Sequence, residues 1–200
     1  MHPGVLVYAL KALEQASTEM IGSEKIKKAG DTIMACAVVA AIAGVGSGWL
    51  PGAGALVASA AWVATIWGMY VKINKDLGIS IKDNVLKSLA SAILTNILAA
   101  AGSLVLMLVG SFILSFFPLI GQGAASVVDG IIGYITVFAS GVLYIRLLTK
   151  LFKAGNNLNF SEGDAKKFAK DIVEESNISE ILEEGKKAYK DDKKAGKFKK

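Results

Sequence analysis

The chain has 200 residues, 53% of them hydrophobic, with 22 basic and 17 acidic side chains, one His and one Cys. Its mean hydropathy of +0.49 lies above that of an ordinary soluble domain. A single His and a single Cys exclude a Cys/His zinc site, a disulfide framework and a Cys/His nucleophilic pair, so the expectation is an all-α integral membrane protein with no catalytic, cofactor or metal residues.

Residues 1–31 form an amphipathic N-terminal segment. Val5, Leu6, Ala9, Leu10, Leu13, Ala16, Met20 and Ile21 recur at helical spacing, opposite Lys11, Glu14, Gln15 and Glu19. The spacing predicts a helix ending near Gly22 that lies at a membrane interface or over a helical bundle. A signal peptide fits less well, because the apolar core is short, no positive charge precedes it and no cleavage site follows.

Residues 32–71 contain no Asp, Glu, Lys or Arg, and neither do residues 88–128. A membrane crossing needs roughly 20 apolar residues, so each run is long enough for two crossings or for a hairpin that enters and returns. The first run breaks at Gly48-Trp49-Leu50-Pro51-Gly52-Ala53-Gly54, where proline stops one helix and glycine permits reversal. This predicts helices over 32–50 and 53–73, hence a first membrane hairpin over 32–73 with Trp49, Pro51, Gly52 and Gly54 at its tip. Trp49 favours an interfacial position. Cys36, inside this run with no basic neighbour, reads as a small buried hydrophobe.

Residues 74–87 are the expected cytosolic connection. The second charge-free run breaks at Phe117-Pro118-Leu119-Ile120-Gly121-Gln122-Gly123. Helices over 84–116 and 122–152 follow, with a second hairpin over 88–152 and Pro118, Gly121 and Gly123 at its tip. Two proline-then-glycine hairpins resemble an internal repeat. Lys25, Lys27, Lys28, Lys72, Lys75, Lys82, Lys87, Arg146, Lys150 and Lys153 all lie at the hairpin feet and none at the tips. The positive-inside rule then places both termini and the middle connection in the cytosol.

Lipid removes the hydrophobic drive between helices, and close approach of small residues replaces it. Such residues recur as Ala40, Gly44 and Gly48, as Ala60, Ala64 and Gly68, as Ser88, Ser91, Thr95, Ala99 and Gly102, and as Ala125, Asp129, Gly133 and Gly141. These stripes are expected to pack within hairpins, between them or between subunits of a homo-oligomer. Asp129 is the one charged residue expected inside a membrane helix ahead of the feet. A carboxylate there must be protonated, paired or wet, which makes it the leading functional candidate, as an ion-carrying group or a helix-to-helix hydrogen-bonding group.

Residues 153–200 form a charged, helical cytosolic tail. Residues 156–200 hold eleven Lys against ten Asp or Glu. Ser161 and Ser179 are expected helix starts, and Phe168, Ile172 and Val173 a narrow apolar face. The Lys-rich end is suited to anionic headgroups or to solvent. Nucleic acid is not an expected partner, because neither a binding motif nor interleaved aromatics accompany the lysines. Two N-x-[ST] triplets, at Asn159 and Asn177, are expected to stay unmodified in the cytosol. The glycines near residue 50 lack the Lys and the preceding strand of a phosphate loop.

Leu50-Pro51-Gly52, the following helix with Met69, Ile73 and Leu77-Gly78-Ile79-Ser80, and Pro118 with Gly121 and Gly123 carry a resemblance over about residues 49–152. The segment resembles the hydrophobic helical domain of unknown function found in YcjF-type inner-membrane proteins and after the G domain of some bacterial Era-like GTPases. The resemblance implies a membrane-anchored helical module. This chain carries no GTPase domain, so nucleotide-driven work would come from a separate GTPase or other soluble partner.

Three functions fit. The first is a non-enzymatic membrane scaffold that self-associates and shapes the bilayer or anchors a partner. The second is an oligomeric channel, pore former or ion-translocating subunit using Asp129. The third is a membrane receptor whose tail recruits a soluble protein. The competing architecture is a soluble bundle that hides its apolar hairpins beneath other helices, as in a pore-forming toxin domain before insertion.

Overall fold

The computed structural model describes residues 2–17, 21–47, 54–116, 124–155 and 158–198; for 45–47, 54–59, 101–116 and 124–128 it describes the helical backbone alone. The described residues form seven α-helices and no strand: α1 (Gly4–Ala16), α2 (Ser23–Ser47), α3 (Gly54–Leu77), α4 (Asp83–Phe116), α5 (Ala124–Lys153), α6 (Glu162–Glu174) and α7 (Ile178–Lys194).

Helix α5 is the axis of the molecule and touches each of the other six. Helix α2 runs antiparallel to it, with Gly44 against Asp129, Ala40 against Gly133 and Ile33 against Gly141. Helix α3 runs parallel to it, with Trp62 at Gly133, Tyr70 at Ser140 and Asn74 at Tyr144. Helix α7 is antiparallel, with Gly185 at Phe138 and Asp192 at Tyr134. The core follows this order, since Ile33, Ile66, Ile73, Val137, Phe138, Leu143 and Leu148 are fully enclosed.

The helix boundaries refine the expected segments. Helix α1 stops at Ala16, short of Gly22, with Ser17 as its C-cap. Helix α2 begins at Ser23 and carries the charged stretch before residue 32. Glu24 pairs with Lys28, and Lys27 with Asp31, at the i,i+4 spacing that supports a helix. The connection foreseen over 74–87 is shorter. Helix α3 continues to Leu77 and ends at Gly78, whose φ of 74° is the left-handed value a side chain disfavours. The Gly78 amide donates to the Lys75 carbonyl and the Ile79 amide to the Asn74 carbonyl, the paired bonds of a Schellman cap.

Four helices were expected to be long and apolar enough to cross a membrane. Among the described residues one segment meets that requirement, Asp129–Lys153, and 89% of its apolar stretch is buried inside the bundle.

The C-terminal region is helical, as its charge pattern suggested, and it is packed rather than free. Ser161 caps α6 in a reciprocal box with Asp164: the Asp164 amide donates to Ser161 Oγ at 3.2 Å and the Ser161 amide to Asp164 Oδ2 at 2.9 Å. Helix α7 starts earlier than Ser179, because Asn177 Oδ1 accepts the Glu180 amide at 3.2 Å. Ala165, Ala169, Ile172 and Val173 of α6, and Ile178, Ile181, Leu182, Ala188 and Tyr189 of α7, are buried. With Val5, Leu6, Ala9, Leu10 and Leu13 of α1 they form a three-helix sheath over one side of the bundle. Each large apolar side chain so buried contributes about 1.5–3 kcal/mol in water.

Candidate functional site

Helix α5 meets α2 through missing side chains. A β-carbon on Gly44 would lie 2.6 Å from the Asp129 carbonyl oxygen, and one on Gly133 would lie 2.6 Å from Trp62 Nε1 and 3.0 Å from the Ala40 carbonyl. On Gly141 it would lie 2.6 Å from Ile33 Cγ2. Ala40, Gly44 and Gly133 are therefore brought together in one helix crossing, the backbone-close contact that small residues permit, while Gly141 on the same face of α5 receives the Ile33 side chain. Ala60, Ala64 and Gly68 are not part of it. They lie on the exposed outer face of α3, and a β-carbon at Gly68 meets nothing within 4 Å.

Asp129 is half-buried at the α2–α5 crossing. No ion-pair partner falls to it among the described residues. Gly48, Trp49, Pro51, Gly52, Pro118, Gly121 and Gly123 lie outside the described residues, while Gly54 and Ala125 are described only as backbone of α3 and α5. Among the described residues no group of His, Cys, Asp and Glu can hold a metal ion.

A buried polar line that the sequence reading missed joins α3 to α5. The Tyr70 and Tyr144 rings stack at 4.0 Å. Tyr70 Oη lies 2.9 Å from Ser140 Oγ and donates to the Ser140 carbonyl at 3.2 Å, while Tyr144 Oη donates to Asn74 Oδ1 at 2.5 Å. Buried tyrosines need partners for their hydroxyls, so Tyr70, Asn74, Tyr134 and Tyr144, interrupting apolar helices, were the available signal. Trp62 Nε1, Trp67 Nε1 and Asn74 Nδ2 are buried without a hydrogen-bond partner among the described residues.

The other flank of α5 is clamped by the chain's end. Tyr134 Oη donates to Asp192 Oδ2 at 2.7 Å, and Lys197 Nζ reaches Asp192 Oδ1 at 2.6 Å. Lys197 returns because α7 ends in a second Schellman cap at Gly196, φ 73°, with the Lys197 amide donating to the Asp192 carbonyl. Phe198 then stacks on Tyr189 at 4.9 Å, and both rings stand edge-on to Tyr134. Burial of an acid is tolerable here because its oxygens are matched by a hydroxyl and an ammonium. The N-terminus is tied to the same region: the Gly4 amide donates to Glu184 Oε2 at 3.1 Å, and His2 Nε2 lies 3.3 Å from Asp31 Oδ1. Burial holds the His2 imidazole below its ordinary value despite the opposing pull of Asp31.

The distribution of charge over the surface is uneven. Lys187, Asp191, Lys193 and Lys194 are exposed on α7, whose Asp192 reaches Tyr134. On the opposite side, the outer face of α2 and α3 between Asp31 and Lys72 carries no charge, and Val39 and Val71 are 55% and 36% exposed there. No protein-family model, curated protein or solved structure matches the chain.

Proposed function

We propose that the protein is a non-enzymatic membrane scaffold: a helical wedge whose two apolar tips enter the bilayer from the cytosolic side, with both termini cytosolic. The observation that carries this reading is the opposition of the two sides of the bundle. Charged side chains on α7 need water as far along α5 as Tyr134. Beyond Tyr134, α5 has about ten residues, or about 15 Å of axis, half the roughly 30 Å hydrocarbon core. Helix α3 stays free of charge for longer, from Gly54 to Val71, which at 1.5 Å per residue is about 27 Å, and Ala60, Ala64, Gly68 and Val71 along it are exposed. A tilted, re-entrant wedge accommodates both lengths; four upright crossings would drag the charged sheath into lipid.

The scaffold part of the proposal draws on the outward stripe of Ala60, Ala64 and Gly68. It offers a second copy the same close helix approach that α2 makes to α5. A wedge occupying one leaflet, repeated through such contacts, curves or organises the membrane. An inner-membrane location, and a separate GTPase or other soluble partner, are carried from the resemblance to the YcjF-type domain.

The test is membrane-impermeant maleimide labelling of single cysteines at Gly52, Gln122 and Asn156 in a Cys36→Ala background. The wedge requires Asn156 to label from the cytosolic side and both tips to stay unlabelled from either side. Tips that label from the far side would establish crossings and end the wedge reading. A channel is the second reading, favoured by one observation: the segment apolar enough to cross, Asp129–Lys153, is present but sheathed. It requires α1, α6 and α7 to leave α5 and copies to assemble around Asp129. Flux across planar bilayers that Asp129→Asn leaves unchanged would remove Asp129 from that role.

A further inference from the structure

The outer face of α4 differs from those of α2 and α3. Asn84, Ser88, Ser91 and Thr95 follow each other at three- and four-residue spacing, a polar stripe on one face. Helix α6 lies beside it and supplies Glu162 and Lys166, closing a groove of about 580 Å³ that Lys87 also lines. Asn84 Nδ2 donates to Glu162 Oε1 at 2.6 Å, bridging the two walls and occupying one carboxylate oxygen. Neither Lys87 nor Lys166 has an ion-pair partner among the described residues. Two cations against one half-engaged carboxylate leave the groove positive, and the Ser88 and Ser91 hydroxyls add donors.

The groove does not end in solvent. Next along the Ser91–Thr95 face the same helix exposes Leu98, 39% accessible, then Ala99 and Ala100. A polar, positively charged groove running into an apolar helix surface matches one ligand chemistry: a phosphate diester with hydrocarbon attached. We propose that the α4–α6 groove binds the headgroup of a phosphatidylglycerol-type lipid, its phosphate between Lys87 and Lys166 and its acyl chains leaving past the exposed Leu98, Ala99 and Ala100. The glycerol hydroxyls of such a headgroup donate to the remaining Glu162 oxygen and to Asn96 Oδ1, whose amide nitrogen is already engaged with the Ala92 carbonyl at 2.8 Å. A choline headgroup has no such donor.

The inference rests on the membrane reading above, and the experiment separates the two. Full-length protein is floated on pure phosphatidylcholine vesicles, which reports insertion of the apolar tips. Retention of a fluorescent phosphatidylglycerol is measured separately on detergent-solubilised protein. The Lys87→Gln/Lys166→Gln pair is expected to float as wild type and to lose phosphatidylglycerol retention at least about tenfold, as befits two charge-assisted contacts. Lys87→Arg/Lys166→Arg is expected to keep it, and fluorescent phosphatidylcholine to bind more weakly to wild type.

Equal retention by the Gln pair, in protein that still floats and melts normally, overturns the headgroup site and leaves the wedge standing. Failure of wild type to float overturns the wedge; the detergent measurement then judges the groove alone. Inorganic phosphate that displaces the lipid completely at millimolar concentration would make this a free-anion site and overturn the lipid assignment.

Discussion

The two flanks of α5 are held by opposite means. Toward α2 the contact depends on side chains that are absent: backbone approaches backbone at Gly44 and Gly133, and the Ile33 side chain fills the space left at Gly141. Toward α7 it depends on side chains that are present, the Tyr134 hydroxyl on Asp192, Lys197 beyond it and the aromatic group of Tyr189 and Phe198. Van der Waals contact between close helices works equally in lipid and in water. The amphipathic face of α7 gains from burial only while water is the alternative. One helix therefore has one flank whose contacts do not depend on water and one whose contacts do.

The largest expected effect breaks the first flank. Gly44→Ala forces a β-carbon to within 2.6 Å of the Asp129 carbonyl and should cost about 2–3 kcal/mol, read as thermal unfolding in a fixed detergent. Gly68→Ala, with nothing within 4 Å, should be neutral or stabilise by up to about 1 kcal/mol through helix propensity. If the two variants melted alike, the crossing would have no special claim on glycine.

Asp192→Ala tests the second flank. It removes the acceptor for Tyr134 and the partner of Lys197, and should cost about 1–2 kcal/mol. Hydrogen exchange should rise in α7 and leave α2 unaffected; uniform acceleration would mean that the sheath and the α2–α5 pair unfold as one unit. Ser161→Ala, which removes one half of the α6 capping box, should cost about 1 kcal/mol. Asp164 is held below the usual carboxylate range by its bonds to Ser161, so the box strengthens the fold above the ordinary carboxylate range and fades as acid titrates it. The acid limb of a stability profile should shrink in the Ser161 variant.

The smallest effect concerns the N-terminal tie. Burial depresses the His2 imidazole below its unfolded value of 6.5, so folding favours the neutral form. Stability from this residue is complete above that value and declines as pH falls through the lower, folded one. Melting temperature followed between pH 7 and 5 should fall less in His2→Ala than in wild type. An unchanged slope would place the pH dependence elsewhere.

Much of the secondary structure was readable because its causes are local. Charge-free runs, prolines and glycines marked α2 to α5 to within a few residues at most ends, and apolar spacing marked the buried face of α1. Ser161 was recognisable as a cap, whereas Ser179 was not the cap of α7, because Asn177 two residues earlier already satisfies the first free amide. The helix-crossing residues Ala40, Gly44, Gly133 and Gly141 were readable as small-residue stripes, but the α3 stripe has the same spacing and faces outward. Spacing defines a face without naming its neighbour.

From the sequence alone came helical content, the two charge-free runs and the uneven placement of charge, each set by neighbours within about a turn of helix or by composition. Only the tertiary structure decided that residues 158–198 fold back on the bundle, α6 on α4 and α7 on α5. That choice rests on pairs far apart in the chain, Tyr134 with Asp192 and Gly4 with Glu184, whose complementarity exists only after the helices meet. It also decided which apolar segment is sheathed and which face is left open. Burial is a property of the whole surface that a helix is offered, and no single segment carries it.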